Sequence, residues 1–185
     1  MKLSLLVPTI KKHRPLFDTL LVDLQKQIIP YNGSVEILID DSENDRVGTK
    51  RNRLLDKAIG EYLAFIDSDD EIGFSYIEHL MKAIQSGKDC ASLLGRYSVD
   101  GNYDGLFEHS LKYNKWETSN GEIKYLRFPN HLNLLKSSIA KQFKFPEKDF
   151  GEDFDFSTQI HESGLLKTEY YINEILYYYN FISKK

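Results

Sequence analysis

The stretch Gly60-Glu61-Tyr62-Leu63-Ala64-Phe65-Ile66-Asp67-Ser68-Asp69-Asp70 decides how this chain folds. A glycine closes the helical pattern before it. The apolar run Tyr62 to Ile66 follows and breaks off at a cluster of carboxylates. A short continuous apolar run between turn signals reads as a strand buried on both faces, the kind found in parallel sheets. In open α/β sheets ligands sit beyond the carboxyl ends of the strands, which is where this acidic run falls.

Working outward, two similar runs precede it. Leu3 to Thr9 and Val35 to Asp40 read as strands, and Glu61 to Asp67 is the third. Between and after them, Pro15 to Gln27, Thr49 to Ile59 and Ser75 to Gln85 carry helical spacing. Cys90 to Val99 reads as a fourth strand that turns at Asp100-Gly101. This βαβαβα order predicts a single α/β domain, a Rossmann-like and mostly parallel central sheet with helices on both faces. Residues 101–130 read as irregular apart from a strand at Ile123 to Phe128. Helices at Ser137 to Gln142 and Asp153 to Glu162 and a closing strand at Glu174 to Phe181 complete the reading.

The bulk numbers fit one soluble globular domain: 185 residues, 41% hydrophobic and 28% charged. With a net charge of -4 and no Lys/Arg-rich run, nucleic acid is not an expected partner. A single cysteine, Cys90, excludes an internal disulfide and fits a reducing compartment. The apolar start of the chain stops at Pro8, too short for a signal peptide or a transmembrane segment, so a cytoplasmic location is the expectation.

Three strand ends carry polar groups: Pro8-Thr9, Asp40-Asp41-Ser42 and Asp67-Ser68-Asp69-Asp70. Carboxylates gathered in a cleft repel one another, and a divalent cation removes that cost. Oxygen-only ligands favour Mg²⁺ or Mn²⁺. In extended backbone Asp67 and Asp69 face the same side, so one can meet a metal while the other meets a ribose hydroxyl or the same metal. The plain alternative is a polar loop that caps the next helix.

Arg51 lies three, four and seven residues before Leu54, Leu55 and Ala58 and shares their inward face. A cation in the first turn of a helix is opposed by the dipole and needs an acid or an anionic ligand. Asp40, Asp41 or a nucleotide can serve, and a purely structural ion pair is the other reading. The segment Phe150-Gly151-Glu152-Asp153-Phe154 sets two carboxylates at a helix start. That arrangement suits either ordinary N-terminal stabilisation or a general base held on a rigid element among phenylalanines.

Taken together, Leu6-Val7-Pro8-Thr9-Ile10, Ile39-Asp40-Asp41-Ser42, Gly48-Thr49-Lys50-Arg51-Asn52 with the run to Asp70, and Gly151-Glu152-Asp153 resemble the family-2 glycosyltransferases. The resemblance implies the GT-A fold and inverting transfer of a sugar from a nucleotide-diphosphate donor, UDP by default, to a glycan, lipid-linked or other hydroxyl acceptor. It assigns Pro8, Thr9, Asp41 and Arg51 to the nucleotide, and Asp67 and Asp69 to the DXD pair that touches ribose, diphosphate and metal. Asp70 is a secondary metal candidate, Asp153 the catalytic base with Glu152 beside it, and His131 a residue of the sugar side. Lys50 can meet phosphate but reads better as a solvated lysine. By the same resemblance, residues 1–100 would form the donor half and 101–185 the acceptor half.

Two departures stand out. Ser42 follows Asp41 directly, and Leu176-Tyr177-Tyr178-Tyr179-Asn180 lacks the histidine that some relatives supply to the metal. Two rival readings follow: a nucleotide-sugar-binding module or inactive relative, and a sugar nucleotidyltransferase. The second lacks its expected glycine-rich loop after Thr9.

Overall fold

The computed structural model describes residues 1–183. Its first half follows the expected alternation: β1 (Leu3–Pro8), α1 (Arg14–Ile28), β2 (Val35–Asp40), α2 (Val47–Lys57), β3 (Tyr62–Phe65), β4 (Glu71–Ile72) and α3 (Tyr76–Gln85). Next come β5 (Cys90–Ala91), β6 (Leu93–Val99), β7 (Asn102–His109), β8 (Glu117–Thr118), β9 (Ile123–Arg127) and β10 (Leu135–Lys136). The chain closes with α4 (Ser137–Ala140), α5 (Glu152–Ser163), β11 (Glu169–Tyr170) and β12 (Ile175–Phe181).

The first sheet runs β11-β5-β10-β3-β1-β2. Its heart is parallel, with Leu3 to Pro8 lying between β2 and β3, whereas β10 enters antiparallel to both β3 and β5. Because side chains alternate along a strand, β1 serves two cores. Leu3, Leu5 and Val7 pack with Phe17, Leu20 and Leu24 of α1 and with α3. Leu6 packs on the other face with Leu54 and Leu55 of α2 and Phe156 and Ile160 of α5. Helices on both faces of a Rossmann-like sheet are therefore present.

A second sheet, β4-β12-β6-β7-β9-β8, was not anticipated. The stretch expected as one strand from Cys90 to Val99 is two strands that belong to different sheets. The switch falls at Ser92, which is fully enclosed and accepts the Ile172 N–H at 2.7 Å. The turn at Asp100-Gly101 is real: both residues have positive φ, 50° and 78°, as a two-residue hairpin requires. It leads into β7, where the sequence pattern predicts irregular chain. The expected closing strand, β12, pairs with β6 rather than with the first sheet. Since β4 and β6 join this second sheet, a division at residue 100 does not coincide with a structural boundary.

Gly48, in the first turn of α2, approaches the segment that leads into α5. A Cβ there would lie 2.0 Å from the Pro146 carbonyl oxygen, a backbone atom. Gly48→Ala is expected to destabilise the chain by about 1–3 kcal/mol through overpacking. Urea unfolding checks this, and an unchanged midpoint would show that the α2–α5 contact is slack.

Candidate active site

Arg51 of α2 joins Asp67, just past the end of β3, to Glu152 at the N-terminus of α5. Only 4% of Arg51 is exposed. Its Nη2 donates to Asp67 Oδ1 at 2.6 Å and its Nη1 donates to Glu152 Oε1. The guanidinium also lies 5.6 Å from the centre of the Phe145 ring. Burial alone would weaken its hold on a proton, but Asp67 and Glu152 outweigh burial and keep Arg51 firmly charged. The inward placement read from the helix face is correct. Its partners are not Asp40 or Asp41, because Arg53 of the same helix holds Asp40, with Nε to Oδ2 at 2.7 Å.

The acidic run is three different carboxylates. Burial pushes the Asp67 carboxyl up, yet Arg51 and His131 hold it below the ordinary carboxylate range. Asp69 is the open one, with 38% of its side chain exposed and its Oδ2 3.6 Å from His13 Nε2. Burial raises its pKa, against the pull of His13. Asp70, expected as a secondary metal ligand, is 3% exposed and faces inward, where Tyr177 donates its hydroxyl to Oδ2 at 2.9 Å. Burial, then Asp67 and Asp69, raise the Asp70 pKa well above the ordinary carboxylate value, against the Tyr177 hydrogen bond. The same Tyr177 hydroxyl accepts the Asp67 N–H at 3.0 Å and so fixes the run from below.

Pro8 ends β1, and the buried Thr9 follows with its N–H on the Asp40 carbonyl. The Thr9 hydroxyl is enclosed without a partner. Lys50, expected in solvent, is 2% exposed and donates Nζ to the Thr9 carbonyl at 2.8 Å. Asp41 is exposed at the end of β2. His131 is buried, its ring nitrogens lack hydrogen bonds, and its Nε2 stands 3.6 Å from Asp67 Oδ2. Glu152 is buried against Arg51, whereas Asp153 is half-buried. The Asp153 carboxylate acts through space on Arg51. Arg53 and Tyr177 were missed by sequence reading.

Asp40 gives a clean pH test. Burial would raise its pKa, but the Arg53 and Ser42 hydrogen bonds lower it from 3.8 to about 2. A depressed carboxyl stabilises the fold above its unfolded pKa and loses that contribution as pH falls through the folded value. The stability gap between the native chain and Asp40→Asn should therefore close between pH 3.8 and about 2. A gap of constant size across that window would remove this role.

For a divalent cation the donor set is sparse. Among the described residues no three His, Cys, Asp or Glu side chains group as a metal cage. One Asp67 oxygen is committed to Arg51 and Asp70 to Tyr177, which leaves Asp69 and the second Asp67 oxygen. That fits a Mg²⁺-like ion that takes one or two carboxylates and completes its shell with substrate phosphate and water. It does not fit a site built from protein alone.

Residues 20–145, more than half of the chain, match the Glycosyl transferase family 2 model. The chain belongs to that family. It is 31% identical over 127 residues to the uncharacterized glycosyltransferase MJ1057 of Methanocaldococcus jannaschii, an alignment of 65% of this chain and 42% of that one. It is 27% identical over 158 residues to glycosyltransferase GlyA of Streptococcus pneumoniae, an alignment of 77% and 22% of the two chains. The family-2 chain thus spans less than half the length of these curated relatives. Residues 1–349 of S. aureus TarS share its fold at a TM-score of 0.72 and 21% identity, over 97% of this chain and 60% of that segment. The same TarS segment has been solved with UDP, and with UDP-GlcNAc at a TM-score of 0.69 and 20% identity. The GT-A architecture expected from the motifs is present. Among the described residues no helix is long and apolar enough to cross a membrane.

Proposed function

We propose that this family-2 chain transfers a sugar, with inversion, from a UDP-linked donor to a hydroxyl acceptor. The observation that carries the reading is the buried Arg51, which ties Asp67 at the end of β3 to Glu152 at the start of α5. This tie brings the donor strand and the helix that carries Asp153 into one rigid unit. The TarS complexes with UDP and UDP-GlcNAc support the donor class.

In this reading Pro8, Thr9 and Asp41 line the base and ribose. The unpaired Thr9 hydroxyl and the buried Lys50 Nζ supply polar contacts at the floor. Asp67 takes a ribose hydroxyl while Arg51 keeps it ionised. Asp69, with Asp67, would hold Mg²⁺ or Mn²⁺, which when bound offsets charge developing on the leaving diphosphate. His131 borders the sugar side. Asp153 accepts the proton of the attacking hydroxyl, and Glu152 positions it through Arg51 rather than taking a proton itself. Residues 1–100 chiefly bind the donor, and 101–185 supply the base and the acceptor side.

A panel of UDP-, GDP- and CDP-sugars, read by thermal shift with Mn²⁺ and by nucleotide release, tests this. UDP-sugars should raise the melting temperature and release UDP when an acceptor is present. Binding without release under any acceptor would favour a nucleotide-sugar-binding module.

A further inference from the structure

Arg127 ends β9, opposite His109 of β7, and is half-buried. Among the described residues no carboxylate lies within ion-pair distance of it. Its guanidinium lies 4.5 Å from the centre of the Trp116 ring and 5.6 Å from that of Tyr125. Trp116 in turn packs edge-on against Phe154 of α5 at 4.9 Å and against Phe128 at 5.7 Å. The Phe128 ring stacks on His161 of the same helix at 4.3 Å. Arg127 is thus fixed to the helix that presents Asp153.

A cation drawn out of water without a partner is costly. Burial lowers the Arg127 pKa, and Asp153 is the one carboxylate that acts against this through space. Beside it the Trp116 indole N–H is enclosed and has no acceptor. Two neighbouring donors without acceptors suit a group that only accepts. A guanidinium stacked on an aromatic face keeps its N–H edges free for bidentate contact with phosphate or carboxylate.

We propose that Arg127, held over the Trp116 ring, forms an anion subsite next to Asp153, so that the preferred acceptor carries a phosphate or carboxylate close to its reacting hydroxyl. The subsite sets acceptor specificity and takes no proton. The inference rests on the transferase reading for the word acceptor, while anion binding at Arg127 stands by itself.

The probes are methyl glucoside, its 6-phosphate and methyl glucuronide, titrated by NMR into the full chain with UDP present. At least one of the charged sugars should bind about tenfold more tightly than the neutral one. Whichever charged sugar binds more tightly identifies the anion, and equal binding supports the chemistry they share. Arg127→Gln should erase the preference and leave UDP affinity unchanged. Equal binding of all three sugars by the native chain, or equal weakening of all three in Arg127→Gln, overturns the proposal. If Arg127→Gln does not fold, Arg127→Lys should lose part of the preference, and full retention overturns the bidentate contact. A native chain that fails to bind UDP sinks the transferase reading, and charged-sugar binding that still needs Arg127 then supports the subsite alone.

Discussion

Arg51→Met is expected to destabilise the chain by about 3–5 kcal/mol, the usual cost of removing one partner from a buried ion pair. The side chain it replaces is 4% exposed and neutralises two carboxylates, one of which, Glu152, is itself buried. Methionine fills much of the volume, so the loss reports the orphaned charges rather than a cavity. Asp67 and Glu152 would then repel, and the end of β3 would part from the start of α5. UDP affinity should fall along with stability. Arg51→Lys keeps the charge but cannot reach both acids with a planar fork, so it should fall between the two. Denaturant unfolding checks the order native, Lys, Met. A methionine variant as stable as the native chain would mean that the two carboxylates find other partners.

The reach of sequence reasoning is clear at this same residue. Helical spacing put Arg51 on the inner face correctly, because the period of an α-helix is local information. Its second partner, Glu152, lies 101 residues away, and no local pattern reports such a pairing. Asp40 and Asp41 looked nearer only because their strand end was already in view. Lys50 obeys the same rule: it stands four residues before the buried Leu54, so the stripe that turns Arg51 inward covers it as well.

Strand β7 was hidden for a different reason. Asn102–His109 begins with polar, exposed residues, and Gly105 interrupts its alternation, so no clean period of two remains. Parallel strands buried on both faces declare themselves by composition, whereas a half-exposed hairpin arm does not. The acidic run showed its position but not its division of labour. Asp70 is held inward by the hydroxyl of Tyr177, 107 residues beyond it, a partner that no local pattern reports.

The second large effect is expected from Asp153→Asn. Loss of a general base removes roughly 10²–10⁴-fold of rate, and transfer to the acceptor should fall by that factor. Asp153 lies outside the ion pair that joins Arg51 to Asp67 and Glu152, so folding and UDP-sugar binding should stay near native. A separate Glu152→Gln variant should instead lose stability, because it uncouples Arg51. If Asp153→Asn transfers sugar at the native rate while Glu152→Gln folds normally but is inactive, the two roles are exchanged.

Calorimetric titration of UDP with and without Mn²⁺, in the native chain, Asp69→Asn and Asp153→Asn, tests the arrangement of this site most directly. Mn²⁺ should tighten UDP binding in the native chain and in Asp153→Asn and have no effect in Asp69→Asn. A native gain from Mn²⁺ that survives intact in Asp69→Asn would contradict the reading of Asp69 as the open carboxylate that faces the donor.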